Sequence, residues 1–113
     1  MKEIKAVLID VENKSVSWVK VPVDKDYNEY WQAIYKLGKF DIGTMVRTEK
    51  NNHVIVDDEG LLKNPRFGFY IGDYPQPLAG NGIIVGPEVN GIVTDCTLTN
   101  EDVKRLVKIG EFN

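Results

Sequence analysis

Ile4-Lys5-Ala6-Val7-Leu8-Ile9-Asp10-Val11-Glu12-Asn13-Lys14-Ser15-Val16-Ser17-Trp18-Val19-Lys20-Val21 decides how the chain begins, and with it the fold class. Ile4 to Val11 is a β-branched and aliphatic run, the composition of a strand. Val16 to Val21 alternates with period two, placing Val16, Trp18 and Lys20 on one face and Val19 and Val21 on the other. Glu12-Asn13-Lys14-Ser15 is short and turn-forming, so the two runs predict a hairpin. Pro22 suits the end of the second strand, because it has no N–H to give to a ladder.

Beyond the hairpin the period changes. Tyr27, Tyr30, Trp31, Ile34 and Leu37 fall on one helical stripe, with Asp24 or Asp26 as the cap and Gly38 as the stop. A stripe with this many aromatic rings can serve a ligand, but packing on a sheet is the simpler use. Strand character returns in Gly43–Thr48 and His53–Asp57, paired across Lys50-Asn51-Asn52. Ile83–Gly86 and Ile92–Cys96 predict a further hairpin around Glu88-Val89-Asn90-Gly91, where Asn-Gly is a strong turn signal. Thr99 with Asp102 three positions on forms a capping box, opening a helix whose apolar face is Val103, Leu106 and Val107 and whose stop is Gly110.

Asn64 to Gly82 is the least regular stretch, with Pro65, Pro75, Pro77 and four glycines. Phe67, Phe69, Tyr70 and Tyr74 make it too aromatic for a disordered linker, so it reads as a long ordered loop. The element order is β-β-α-β-β-(β)-β-β-α. It predicts a single α+β domain over residues 1–113, with a largely antiparallel sheet of five or six strands and two helices.

Composition narrows the function classes. The 113 residues hold one core, and 42% apolar with 27% charged residues is the balance of an ordinary globular domain. A formal charge of −3 lacks the basic footprint of a nucleic-acid binder. Lys104, Arg105 and Lys108 on the last helix read as a solvated face. Cys96 is the only cysteine, which precludes an intrachain disulfide and fits a reducing compartment. The apolar run at the N-terminus is short and ends at Asp10, so neither a secretion signal nor a membrane anchor is expected and the setting is read as cytoplasmic.

Candidate chemistry is sparse. His53 and Cys96 can form a nucleophilic dyad only if the fold joins them, and a lone cysteine in an apolar stretch is more often a buried hydrophobe. Asp57-Asp58-Glu59-Gly60 offers carboxylates to a metal, with Asp10 and Asp41 as further donors if they converge. Its spacing is not that of a calcium loop, and a solvated turn accounts for it. Gly80-Asn81-Gly82 and Gly86 are followed by a strand and not by a helix, unlike a dinucleotide fingerprint. No cofactor or metal site is read. Arg66, Phe67, Phe69, Tyr70, Tyr74 and Asn81, with Arg47, form the candidate binding set. Guanidinium and aromatic planes grip bases and phosphates, and the same residues serve protein hot spots or pin a loop to the core.

The second half, from Val54-Ile55-Val56-Asp57-Asp58-Glu59-Gly60-Leu61-Leu62 and Asn64-Pro65 through Leu78-Ala79-Gly80-Asn81-Gly82-Ile83-Ile84-Val85-Gly86 to Thr97-Leu98-Thr99-Asn100-Glu101-Asp102-Val103, resembles a small uncharacterised family. Its members are bacterial domains of unknown function, often carried by bacteriophages and other mobile elements. The likeness covers residues 53–107. It implies a phage or prophage accessory protein that acts by binding, possible as a homo-oligomer. A host protein captured in counter-defence is the first expectation, a sequestered signalling nucleotide the second, and a small hydrolase the third.

Overall fold

A computed structural model of the chain describes residues 2–111. In order they form β1 (Lys2–Asp10), β2 (Ser15–Val23), α1 (Asn28–Gly38), β3 (Gly43–Arg47), β4 (His53–Asp57), β5 (Phe67–Ile71), β6 (Leu78–Ala79), β7 (Gly82–Val85), α2 (Asn100–Leu106) and β8 (Val107–Glu111). Single 3-10 turns at Glu49–Asn51 and Gly60–Lys63 flank β4. The strands build two antiparallel sheets, β2-β1-β7-β4-β3 and β6-β5-β8. The fold is α+β, with two helices, as the sequence predicts. Among the described residues no helix is long and apolar enough to cross a membrane.

Residue parity sorts the core into two clusters, one on each side of the larger sheet. Ile4 and Ala6 of β1, Ile55 of β4 and Ile83 and Val85 of β7 meet Tyr30 and Ile34 of α1 and Phe40. Their neighbours in sequence, Val7 and Ile9, Val54 and Val56, and Ile84, point the other way. They meet Phe69 and Ile71 of β5 and Val103 and Leu106 of α2. Strands buried on both faces have no polar side to show, which is why residues 6–9, 54–56 and 83–85 read as unbroken apolar runs. Each fully buried Ile or Val contributes about 1.5–3 kcal/mol by leaving water.

The helical stripe packs as expected: Tyr30 and Ile34 are buried, and Tyr27, Trp31 and Leu37 lie against them. Tyr30 meets Tyr27 and Trp31 edge-on, with ring centroids 5.6 and 5.1 Å apart. Asp24 accepts from the backbone N–H of Asn28 (2.9 Å) and Tyr30 (3.1 Å), giving orphan donors of the first turn their partners. Gly38 does not end the helix in the way predicted. The left-handed residue is Lys39 (φ 59°), whereas Gly38 is the last helical residue, and a Cβ there would overlap the Phe40 ring. Glycine is required for space and not for its dihedral freedom.

Three other expectations are corrected. Asn64–Gly82 is not one loop: β5 and β6 lie within it and form the second sheet with β8. The Asn90-Gly91 turn forms, with positive φ at both residues and a bridge between Val89 and Ile92, but Ile92–Cys96 is not a strand. The segment crosses to β1, where the Cys96 N–H donates to the Lys5 carbonyl (2.8 Å) and the Asp95 carboxylate accepts from the Lys5 N–H (2.8 Å). Finally, α2 opens on the predicted capping box, Thr99 and Asp102 exchanging bonds of 3.1 and 3.0 Å, but stops at Leu106. Val107 begins β8, and Gly110 sits inside that strand, opposite Gly68.

One buried amide locks these parts together. Asn52, the buried polar residue of the core, donates to the carbonyls of Glu49 (3.0 Å) and Lys50 (3.2 Å) and to Thr97 Oγ1 (2.7 Å). Its own oxygen accepts from the Thr97 N–H (3.0 Å). The β3–β4 turn, where Lys50 and Asn51 have positive φ, is thereby fastened to the segment entering α2.

Candidate functional site

The seven candidate residues separate. Phe69 is sealed in the core. Tyr70, about half exposed, stands on the outer face of the second sheet, across from Lys108. Tyr74 lies half-buried in a different hollow, with Met45 and Leu61. Arg47 is exposed at the end of edge strand β3, opposite His53. Arg66, Phe67 and Asn81 come together, in a cleft of about 310 Å³ between the β1–β2 turn, the end of α1 and the start of β5.

Local structure places each of the three. Arg66 directly precedes β5 and lays its guanidinium over the Phe67 ring, 5.1 Å from the centroid; Lys14 of the β1–β2 turn approaches the same ring at 5.6 Å. Both cations lie within the range in which the ring quadrupole attracts them. Asn81 follows the left-handed Gly80 (φ 76°), and its side-chain oxygen accepts from the Val11 N–H (3.0 Å). That bond closes the β6–β7 turn onto the end of β1 and leaves the amide NH₂ as a donor.

Lys39 and Lys63 also line the cleft, and sequence reasoning missed both. Lys63 is tied to Asp57 (2.5 Å) and Asp41 (2.9 Å), and these carboxylates hold its ammonium above the usual lysine range. Burial works against ionised Asp57, but the Lys63 ammonium and the N–H groups of Glu59, Asp41 and Ile42 outweigh it, holding the carboxyl below its ordinary value. So Asp41 and Asp57 do converge, around the Lys63 ammonium. Asp10 instead caps its own turn, accepting from Asn13. No signal in the sequence marks Lys39, whose position follows from where α1 stops.

With Lys63 committed to its carboxylates, the cleft presents Lys39, Arg66 and the Asn81 amide beside an aromatic ring, against Glu12. Its lining contains no serine, threonine, cysteine or histidine. The His53–Cys96 dyad is not assembled. Cys96 belongs to the cluster facing the second sheet, while His53 shares the parity of Ile55, on the α1 side. Burial also pushes the Cys96 thiol up, away from the reactive thiolate. Among the described residues no three His, Cys, Asp or Glu side chains are grouped to hold a metal ion. Compared with known proteins, the chain matches no family model, no curated sequence and no solved structure.

Proposed function

We propose that the protein acts by binding and that the Arg66–Phe67 cleft takes a small anionic ligand with a planar ring, the chemistry of a nucleotide. One observation carries this: of seven candidate residues, of which Phe69 is buried and Arg47, Tyr70 and Tyr74 lie apart, the three that meet are a guanidinium, an aromatic ring and an amide, with Lys39 beside them. A guanidinium and an ammonium match phosphate oxygens, an amide reads a base edge, and the ring offers an apolar wall. The cleft is at the small end of the roughly 300–1,000 Å³ usual for ligand sites, which suits a mononucleotide or one half of a larger signalling nucleotide. In a phage or mobile-element setting, such a protein would sequester the signal.

The test is thermal denaturation against a panel of mono-, cyclic and dinucleotides, with Arg66→Ala alongside. A ligand at 100 times its Kd adds about 2.7 kcal/mol, a rise in Tm on the order of 10 °C for a small domain. Arg66→Ala should abolish that rise while leaving the unliganded Tm within a few degrees. No stabilisation by any nucleotide would sink the reading.

Capture of a host protein is a second reading, and Tyr70 favours it. Its exposed ring borders a shallow trough floored by Gly68 and Gly110, a setting for an aromatic anchor. Tyr70→Ala would then abolish partner capture, and Arg66→Ala would leave it intact.

A further inference from the structure

We propose that β2 is a dimerisation edge, on which a second copy of the chain pairs its own β2 antiparallel about Val19, joining two five-stranded sheets into one of ten strands. The inference is independent of the cleft. Its starting point is the direction of the backbone groups. Lys5 gives its N–H to Asp95 and its carbonyl to Cys96, so its backbone faces away from β2. In an antiparallel ladder this alternates, and the Val11 N–H, which goes to Asn81, keeps the same parity.

Lys20 stands opposite Lys5, so Lys20 likewise turns its N–H and carbonyl away from β1, as do Val16, Trp18 and Pro22. These four face the open side of a strand whose one partner among the described residues is β1. The proline occupies one of the outward positions, where no bond within the sheet is lost.

The outward residues are self-complementary in one register. Centred on Val19, Trp18 faces the partner's Lys20, exchanging both backbone bonds, and the Val16 N–H reaches the partner's Pro22 carbonyl. Trp18 and Lys20 share the face that carries α2, so each ammonium lies across from an indole that is 42% exposed. Val16, 39% exposed, meets the apolar ring of the partner's Pro22. Centring on Lys20 would oppose two ammonium groups, and centring on Trp18 would leave each Lys20 against Val16. Lysine and proline are also the residues with which natural edges resist pairing. Here the lysine gains an aromatic partner directly opposite it, and the partner's own Lys20 is only a diagonal neighbour on that face.

Val19 would meet its own copy as a non-hydrogen-bonded pair with Cα atoms about 4.5 Å apart, within disulfide reach. In the full chain, Val19→Cys should therefore cross-link to dimer under mild oxidation. Ser17→Cys, on the same face but opposite the partner's Val21, should not; native Cys96 is buried and does not compete. Sedimentation equilibrium should give twice the chain mass for the unmodified protein and a monomer for Trp18→Glu. The double variant Trp18→Lys/Lys20→Trp keeps the two groups opposite each other and should recover the dimer. A monomer for the unmodified protein at its highest soluble concentration, or equal cross-linking at positions 17 and 19, would overturn the proposal.

Discussion

The two faces of the five-stranded sheet are buried by different means. One is covered mainly by a single helix and its flanks, from Tyr27 to Phe40, with Val93 also packed against it. The other is covered by β5, β6, β8 and α2, drawn from residues 67–111, and held at its rim by charges. There Arg105 makes a bidentate pair with Glu49 (2.8 and 2.9 Å) and also reaches Asp102, and Lys50 bonds Asp102 at 3.0 Å. The helix face is thus a local solution that needs little besides its own stripe. The other face depends on contacts far apart in sequence, so damage to it should spread further.

Truncating one central side chain on each face tests this most strongly. Phe69→Ala should cost about 4 kcal/mol and Ile34→Ala about 3 kcal/mol in denaturant unfolding. Hydrogen exchange should separate them: Phe69→Ala should loosen β5, β8 and α2 together, whereas Ile34→Ala should loosen α1 alone. Equal loosening everywhere in both variants would erase the distinction between the faces.

Titration probes the same contrast with smaller effects. On the helix face, burial, with Tyr27 and Glu88 nearby, pushes Tyr30 up to about 12 from 10.0. Folded Tyr30 keeps its proton while the unfolded phenol ionises, so this contribution is intact below pH 10 and is lost as pH rises toward 12. The loss should approach about 3 kcal/mol, and Tyr30→Phe should remove that alkaline limb. On the opposite face, the Arg105 hydrogen bonds hold Glu49 below its ordinary 4.5. Asp102 is held down by the Thr99 N–H and then by Lys50 and Arg105. These contributions are present above pH 4.5 and disappear as pH falls through the depressed values. The effect is the smallest of the three, because the groups are exposed and salt screens them. Glu49→Gln should flatten the acid limb, and the difference should shrink in high salt.

The same contrast explains what could be read in advance. The stripe of α1, the β1–β2 and β3–β4 hairpins and the Thr99 capping box are set by neighbours within a few residues, so their patterns survive in the sequence. Phe67-Gly68-Phe69-Tyr70-Ile71 does alternate, with Phe67, Phe69 and Ile71 inward, but flanking prolines and glycines disguise it as loop. Val107 fits both the helical spacing from Val103 and the alternation with Ile109, so the α2–β8 boundary is ambiguous without the partner strand β5. In the cleft, Arg66, Phe67 and Asn81 were legible by residue type. Lys39 and Lys63 were not, because only the tertiary fold brings the end of α1 and the turn after β4 to the same place.

The position of β7 has a consequence for how the molecule assembles. Its four residues, Gly82–Val85, lie between β1 and β4 and pair with both, so they join the β1–β2 hairpin to the β3–β4 hairpin. A chain leaving the ribosome therefore carries two separate hairpins, each with an apolar edge open, until residue 85 has emerged. Closing those long loops is slow relative to local helix formation, and exposed edges invite intermolecular pairing in the meantime. Synthesis rate and chaperone access around that point would then govern how much protein reaches the native state, whatever its final stability.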